Sequence, residues 1–145
     1  MRIVVQRVRS AVVEVDGRPV VSIGHGVVAL VGFAAQGSPP EHIQRMAQRL
    51  IRLRLFNDDA GRLNRSIQEV QGQLLLVPQV TLTATLEKGT RPSFHTAAPA
   101  GMARQMFEQF VQAVQTHYAN VNTGVFQAHM VVRLENDGPV TFILE

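Results

Sequence analysis

The chain has 145 residues, of which 46% are hydrophobic and 17% charged, so we expect one ordinary globular domain spanning residues 1–145. The absence of cysteine excludes disulfide scaffolds and thiolate chemistry, and with no apolar signal segment at the N-terminus it favours the cytoplasm. The longest apolar stretch, residues 26–35, is about half of the ~20 residues that a membrane span needs. The 14 Lys and Arg residues exceed the 11 Asp and Glu residues only mildly, which suits a nucleic-acid-binding protein or a metabolic enzyme.

Strand-like segments fill the first third of the chain. Residues 3–8 and 11–15 are rich in β-branched side chains and Asp16-Gly17 is a hairpin signal, so we expect two antiparallel strands to open the domain. The segment 20–23 and the apolar run 27–33 predict further strands, the second of them buried. Because a strand follows Gly24-His25-Gly26, this glycine pair indicates a turn and not a dinucleotide-binding loop.

Two helices are predicted in the remainder of the chain. Ser38-Pro39-Pro40-Glu41 has the residue order of a capping box, so a helix begins at about Pro39 and ends in a turn at residues 57–61. A buried strand over residues 72–77, a loop over 87–101 and a second helix over about 101–119 follow. Segments 125–134 and 140–144 flank a turn at 136–138 and predict a terminal hairpin. The whole order predicts an α/β domain of the α+β type, with mostly antiparallel strands and two helices.

Common catalytic and metal-binding patterns do not occur. The five histidines are not spaced as metal ligands, so we expect no metal and no cofactor. No Gly-x-Ser-x-Gly elbow is present, and acyl transfer by a side-chain nucleophile is therefore not predicted.

Two segments nevertheless stand out. Pro78 removes a ladder amide directly after an apolar strand, so that strand must end, bulge or follow a sheet edge. Thr81 then lies where a strand meets a loop, a position that suits a structural threonine or a site residue. Asn136-Asp137-Gly138-Pro139-Val140-Thr141 contains a Gly-Pro pair. The residues alone favour a trans turn; a cis bond, which would turn two carbonyls to the same side, is the alternative.

Five segments carry a family resemblance along the chain: Val5-Gln6-Arg7-Val8, residues 78–82, Arg91-Pro92-Ser93-Phe94, Asn122-Thr123-Gly124-Val125-Phe126 and, most specifically, residues 136–141. They resemble the D-aminoacyl-tRNA deacylases, also called D-tyrosyl-tRNA deacylases. The resemblance implies a homodimer of β-barrel-like subunits with flanking helices. It also implies hydrolysis of the ester that joins a D-amino acid, or mischarged glycine, to the 3′ end of tRNA.

The resemblance further implies residue roles. Gly138-Pro139 would be a cis pair that enters the partner subunit's pocket, holds the α-ammonium of a D-residue with two carbonyls and collides with an L side chain. Arg7 and Asn136 would support this pair. Segment 79–82 would form the pocket floor, bind the terminal adenosine and offer backbone amides to the oxyanion. The ribose 2′-hydroxyl of the substrate would assist the attack of water on the ester. Gln79 and Thr81 would therefore contribute backbone groups and position the substrate, and neither would be a nucleophile. The other substrate contacts would be Pro78, Val80, Leu82, Phe94 and Phe126.

The sequence departs from the family pattern within this segment. The usual residues are Ser-Gln-Phe-Thr-Leu, whereas Pro78 and Val80 stand here in place of the Ser and the Phe. A proline at this position resembles animal relatives that read Pro-Gln-Ala-Thr-Leu, have a trans Gly-Pro bond and accept L-alanine mischarged on tRNA. Two alternatives to D-specific hydrolysis therefore stay open: a deacylase of relaxed chirality, and a non-catalytic tRNA-binding dimer suggested by the basic balance and the missing triad.

Overall fold

The computed structural model describes residues 1–87 and 89–145. Within them lie a six-stranded mixed sheet, a separate two-stranded hairpin and two α-helices. The strands are β1 Arg2–Val15, β2 Arg18–Ile23, β3 Gly26–Gly32, β4 Arg54–Asn57, β5 Leu63–Ser66, β6 Gln73–Pro78, β7 Val121–Thr123 and β8 Met130–Leu144; the helices are α1 Pro40–Arg52, α2 Ala100–His117 and a 3₁₀ helix, Val80–Thr83. Among the described residues, four strand pairs are antiparallel and two are parallel, as expected for mostly antiparallel strands.

Strand β1 is the centre of the sheet. Its first half pairs with β3, its second half pairs with β2 through the predicted turn at Asp16-Gly17, and β8 follows it along the opposite edge. The prediction of separate strands at 3–8 and 11–15 is wrong, because the chain stays extended through Arg9 and Ser10. A shift of register between Val8 and Ala11 lets the strand bend without ending.

The terminal hairpin predicted from residues 125–144 is also wrong. Residues 130–144 form one strand that runs antiparallel to β1, from Met130 opposite Val15 to Leu144 opposite Ile3. Asn136 pairs with Val8 and Thr141 with Gln6, so residues 137–140 bulge from the ladder opposite Arg7. Proline cannot donate to the ladder, which explains a bulge here, but the chain keeps its direction.

Both helices cover one face of the sheet and bury their apolar stripes in the main core. Helix α1 ends at Arg52, earlier than predicted, because the chain turns at Leu53 into the unpredicted hairpin β4–β5, whose connection contains the predicted turn at 57–61. The predicted capping box is wrong: no side chain caps α1, and the Ser38 hydroxyl accepts a hydrogen bond from the Met1 ammonium at 3.3 Å.

The predicted strand at 72–77 is confirmed as β6, and α2 ends two residues before the predicted limit. In the predicted loop 87–101, residue 88 lies outside the described residues; the neighbouring chain is irregular, with isolated bridges Ala34–Ala97 and Thr85–Ser93. In the part of the chain that the structure describes, neither helix is long and apolar enough to cross a membrane.

Candidate active site

A cavity of about 450 Å³ opens where β3 and β6 end. Gly32 of β3 and Pro78 of β6 line it, together with residues 126–130 and Val132. Most of the lining is apolar, and Gln79, Gln127 and His129 supply the polar side chains. A concave apolar site with a few polar groups is the usual form of a small-molecule pocket.

Segment 78–83 forms the rim of this cavity through backbone contacts. The Gln79 amide donates to the Val31 carbonyl at 2.8 Å, and the chain then turns into the 3₁₀ helix. The Thr83 hydroxyl closes this turn on the Val80 carbonyl at 2.9 Å. The irregularity predicted after Pro78 is thus confirmed. The amides of Val80 and Thr81 begin the 3₁₀ helix, so neither has an acceptor within it.

Gly32 allows this segment to lie against the sheet. A Cβ atom at residue 32 would lie 2.7 Å from the Gln79 carbonyl oxygen and 3.0 Å from the Leu82 Cβ. Any larger residue would therefore push the 79–82 segment away. No local sequence pattern identifies Gly32, because its close neighbour is about 50 residues away in the chain and only the fold brings the two together.

Phe126 forms another part of the cavity wall. Its ring packs at 6.2 Å between centroids from Phe107 of α2, and the Arg104 guanidinium lies 4.8 Å above its centroid. Arg104 also donates to the Gln127 Oε1 at 2.9 Å. Cation–π contact and hydrogen bond together fix the wall relative to α2. Arg104 was not predicted as a site residue, since nothing in a helical sequence distinguishes it from a solvated arginine.

The Gly138-Pro139 pair lies at the bulge of β8, is exposed, and has a cis peptide bond. Gly138 has a φ of +126°, and a Cβ there would lie 2.7 Å from the Val140 Cγ2 and 3.2 Å from the Arg7 Nη2. The side-chain amide of Asn136 donates to the main-chain carbonyls of Arg7 and Val140 at 2.9 and 3.0 Å. Asn136 therefore fastens both ends of the bulge to the sheet.

Arg7 supports the same bulge from below. Its side chain is almost buried, and its Nε lies 3.1 Å from both the carbonyl oxygen and the Oδ2 of Asp137. Its Nη1 donates to the Leu55 carbonyl and to the Asn57 Oδ1, both at 2.9 Å. Arg9 pairs with the other Asp137 oxygen at 3.1 Å. Asn57 and Leu55 belong to β4, which the sequence did not predict, so this half of the network could not be anticipated.

The hairpin that carries Asn57 is held by Asp58. Its carboxylate accepts hydrogen bonds from the amides of Arg62 and Ala60, both at 2.9 Å. The bond from the Arg62 amide is the largest cause of the lowered pKa of Asp58; desolvation opposes it, and the bond from the Ala60 amide lowers the pKa further.

The predicted site residues thus fall into two groups in one protomer. Pro78, Gln79, Val80 and Phe126 line the cavity, and Thr81 and Leu82 follow them on the 3₁₀ helix. Gly138, Pro139, Arg7 and Asn136 form the second group, at the bulge, and none of them lines the cavity. Phe94 belongs to neither group: it is exposed on the loop before α2 and is not part of the cavity lining.

Fold and site together define an α+β domain with a barrel-like mixed sheet, an apolar cavity at the strand ends and a braced Gly-Pro bulge. The family model for D-Tyr-tRNA(Tyr) deacylase matches residues 4–145, and the chain belongs to this family. It is 47% identical to a D-aminoacyl-tRNA deacylase of Teredinibacter turnerae, over 100% of this chain and 99% of the relative. It is 49% identical to a D-aminoacyl-tRNA deacylase of Stenotrophomonas maltophilia, over 99% of both chains.

Solved structures agree with this fold. A protein described as a c-Myc DNA unwinding element binding protein superposes with a TM-score of 0.94 at 34% identity, over 100% of this chain and 98% of that one. A probable eukaryotic D-amino acid tRNA deacylase superposes with a TM-score of 0.83 at 18% identity, over 99% and 97% of the two chains. The second similarity supports the architecture alone.

Proposed function

We propose that this protein is a D-aminoacyl-tRNA deacylase: it hydrolyses the ester between a D-amino acid and the 3′-terminal adenosine of tRNA, and the cavity beside Gln79 receives the aminoacyl end. Membership of the deacylase family, with relatives of that name matching the full chain, is the observation that carries this proposal. The proposed place of action is the cytoplasm, where charged tRNA is used.

The chemistry is assigned to backbone and substrate. Water adds to the ester carbonyl, the oxyanion accepts hydrogen bonds from the Val80 and Thr81 amides, and the C–O bond breaks to release the amino acid and the tRNA hydroxyl. Such donors are worth roughly 3–4 kcal/mol each in acyl transfer. The ribose 2′-hydroxyl assists the attacking water. Thr81 is bound by the Gln79 side-chain amide, which supports a positioning role for its hydroxyl.

Chiral selection is assigned to Gly138-Pro139 of a second subunit. The pair is exposed and held from beneath by Arg7, and it lies outside the cavity of its own chain, which suits a group that acts on a neighbour. In the partner's pocket its carbonyls hold the α-ammonium of a D-residue, and an L side chain collides with it. Glycine has no side chain to reject, so mischarged glycine is also a substrate.

The proposed homodimer is supported by strand β8. This strand forms its hydrogen-bond ladder with β1. Three of its apolar residues are exposed: Val131 by 43%, Phe142 by 45% and Ile143 by 63%. Apolar side chains on an outer strand are typical of surfaces that a second copy covers.

The decisive experiment compares the release of tyrosine from D-Tyr-tRNA and L-Tyr-tRNA by the purified protein. We expect rapid release from the D-substrate and at least a hundredfold slower release from the L-substrate. Equal release from both, or none from either, would refute D-specific hydrolysis. Tight tRNA binding with no turnover would instead establish the non-catalytic tRNA-binding dimer.

A deacylase of relaxed chirality is the second candidate, favoured by the residues at the cavity rim. Pro78 and Val80 both line the cavity, and Val80 is 52% exposed, so a valine in place of the phenylalanine widens the entrance. Measuring the hydrolysis of L-Ala-tRNA and D-Ala-tRNA by the wild type and by Val80→Phe distinguishes the two. Relaxed chirality predicts comparable rates in the wild type and slower L-Ala release in the variant.

A further inference from the structure

The outer face of α1 and the start of β4 form a groove of about 420 Å³, which we call the arginine groove. Four arginines line it together with Gln48 and Leu53; they are Arg45, Arg49, Arg52 and Arg54. All four are exposed. Across the described residues, none of the four forms an ion pair with a carboxylate side chain, although five other arginines do.

Two of these arginines, Arg45 and Arg54, donate to neutral side chains, whereas Arg49 donates to the main-chain carboxylate of Glu145, the last residue. Arg45 donates to the His42 Nδ1 at 2.7 Å, Arg49 to the main-chain oxygen of Glu145 at 2.9 Å, and Arg54 to the Asn64 Oδ1 at 2.9 Å. Guanidinium groups that are held in place but not neutralised are suited to bind phosphate.

The positive potential acts on His42, which lies beside the groove. Burial is the largest cause of its lowered pKa, and the N-terminal ammonium, Arg45 and Arg49 lower it further. The three charged groups that act on His42 are thus all cations. Glu41 is the acidic residue in the first turn of α1, while Arg49 and Arg52 occupy the last turn.

Contacts connect the arginine groove to the cavity rim. Arg49 donates to a main-chain oxygen of Glu145, and the side-chain carboxylate of Glu145 accepts from the Arg2 Nε at 2.5 Å. Arg2 also donates to the Leu82 carbonyl at 3.0 Å, on the 3₁₀ helix of the rim. Groove and rim are therefore separated by two residues, Glu145 and Arg2. A nucleic acid whose 3′ end enters the cavity can extend its backbone towards the groove.

We propose that the arginine groove binds the phosphate backbone of tRNA next to its 3′ end while the terminal adenosine occupies the cavity. This inference rests on the proposed function and assigns part of the substrate to a surface outside the cavity. Phosphate contacts position a nucleic acid without reading its sequence, so the groove accepts different tRNAs alike. It raises the affinity for the whole tRNA over that for its aminoacylated end.

The test uses the double variant Arg45→Gln/Arg52→Gln, which spares Arg49 and Arg54 and their bonds to other segments. The matched control is Arg18→Gln/Arg62→Gln. Both control arginines are exposed and, within the described residues, neither forms an ion pair. The two double variants have the same net charge, so a difference between them reports position and not overall charge.

Binding of fluorescently labelled, uncharged tRNA is measured as a function of salt. Each phosphate contact contributes roughly 0.7–0.9 to the slope of log K against log salt, so the groove variant loses about 1.5 from this slope and about tenfold in affinity at low salt. The control variant loses distinctly less of both. Equal slopes for both variants, or wild-type binding that does not depend on salt, would overturn the inference.

Kinetics then separate this inference from the proposed function. We expect the ratio of kcat/KM for D-aminoacyl-tRNA to kcat/KM for 3′-D-aminoacyl-adenosine to fall about tenfold in the groove variant, through KM of the tRNA substrate. A ratio equal to that of the control variant would overturn the inference. If the wild type hydrolysed neither substrate, the proposed function would fail, and the salt slopes would still decide whether the groove binds tRNA. Competition by inorganic phosphate as strong as by tRNA would overturn the assignment to a nucleic acid.

Discussion

The cavity rim and the Gly-Pro bulge are both irregular segments next to a strand, yet they are held in different ways. Segment 79–82 is fixed largely by its main chain, through the Gln79 amide and close contact with Gly32. The bulge is fixed by side chains, chiefly Arg7 and Asn136. A rim built from backbone tolerates changes of side chain, which explains how Pro78 and Val80 can stand there. A bulge built on side chains depends on a few residues that are distant in sequence.

The largest effect is expected at the bulge itself, from Gly138→Ala. The new Cβ would lie 2.7 Å from the Val140 Cγ2 and the residue would keep a φ of +126°, so the pair must move. A displaced pair no longer fits the partner's pocket, and we expect kcat/KM for D-Tyr-tRNA to fall about a hundredfold. Gly17→Ala is the control: its φ is +73° with no atom within 4 Å, so it tests positive φ without the clash. Equal activity of the two variants would contradict the role of the bulge.

Arg7→Met tests the support of the bulge. The substitution removes the almost buried guanidinium that pairs with the Asp137 Oδ2 and donates to the Leu55 carbonyl, and of the described residues only the exposed Arg9 still pairs with Asp137. We expect the free energy of unfolding to fall by about 3 kcal/mol. Activity on D-Tyr-tRNA should fall about thirtyfold at temperatures where the variant is folded. Arg7→Lys keeps the positive charge but loses the forked guanidinium donor, so its activity and stability should lie between those of the wild type and Arg7→Met. Full activity of Arg7→Met with intact folding would show that the bulge needs no support.

Gly32→Ala tests the rim. A Cβ 2.7 Å from the Gln79 carbonyl oxygen displaces the 79–82 segment, and we expect about a tenfold lower kcat/KM with a loss of about 1–3 kcal/mol in stability. Gly101→Ala is a matched control in the first turn of α2, with no atom within 4 Å, and should be neutral or slightly stabilising. Unchanged kinetics in Gly32→Ala would mean that the rim position does not affect catalysis.

The contrast between rim and bulge also explains what the sequence could predict. Continuous apolar runs of strand length predicted β3 and β6, and Pro78 marked the end of β6, because these signals are local. The predicted terminal hairpin was wrong. Asn-Asp-Gly-Pro is a typical turn sequence, but the pairing of β8 with β1 from Met130 to Leu144 overrides that local signal. Asn57 and Gly32 act through contacts between distant segments, so no local pattern identifies them.

The smallest effect is expected from Thr81→Ala. The Thr81 side chain is exposed and its hydroxyl accepts from Gln79, while the proposed chemistry uses backbone amides and the substrate. We expect kcat for D-Tyr-tRNA to change less than about threefold. Complete loss in a variant with wild-type thermal stability would instead identify Thr81 as the nucleophile.

Co-expression of Gly138→Ala and Gly32→Ala chains tests most directly whether rim and bulge of different subunits meet. Each homodimer is impaired at both sites. A mixed dimer combines the intact rim of one chain with the intact bulge of the other at one of its two sites. Random pairing therefore predicts recovery to about one quarter of wild-type activity on D-Tyr-tRNA, with D-selectivity retained. Activity no higher than the mean of the two separate variants would contradict a site shared between subunits.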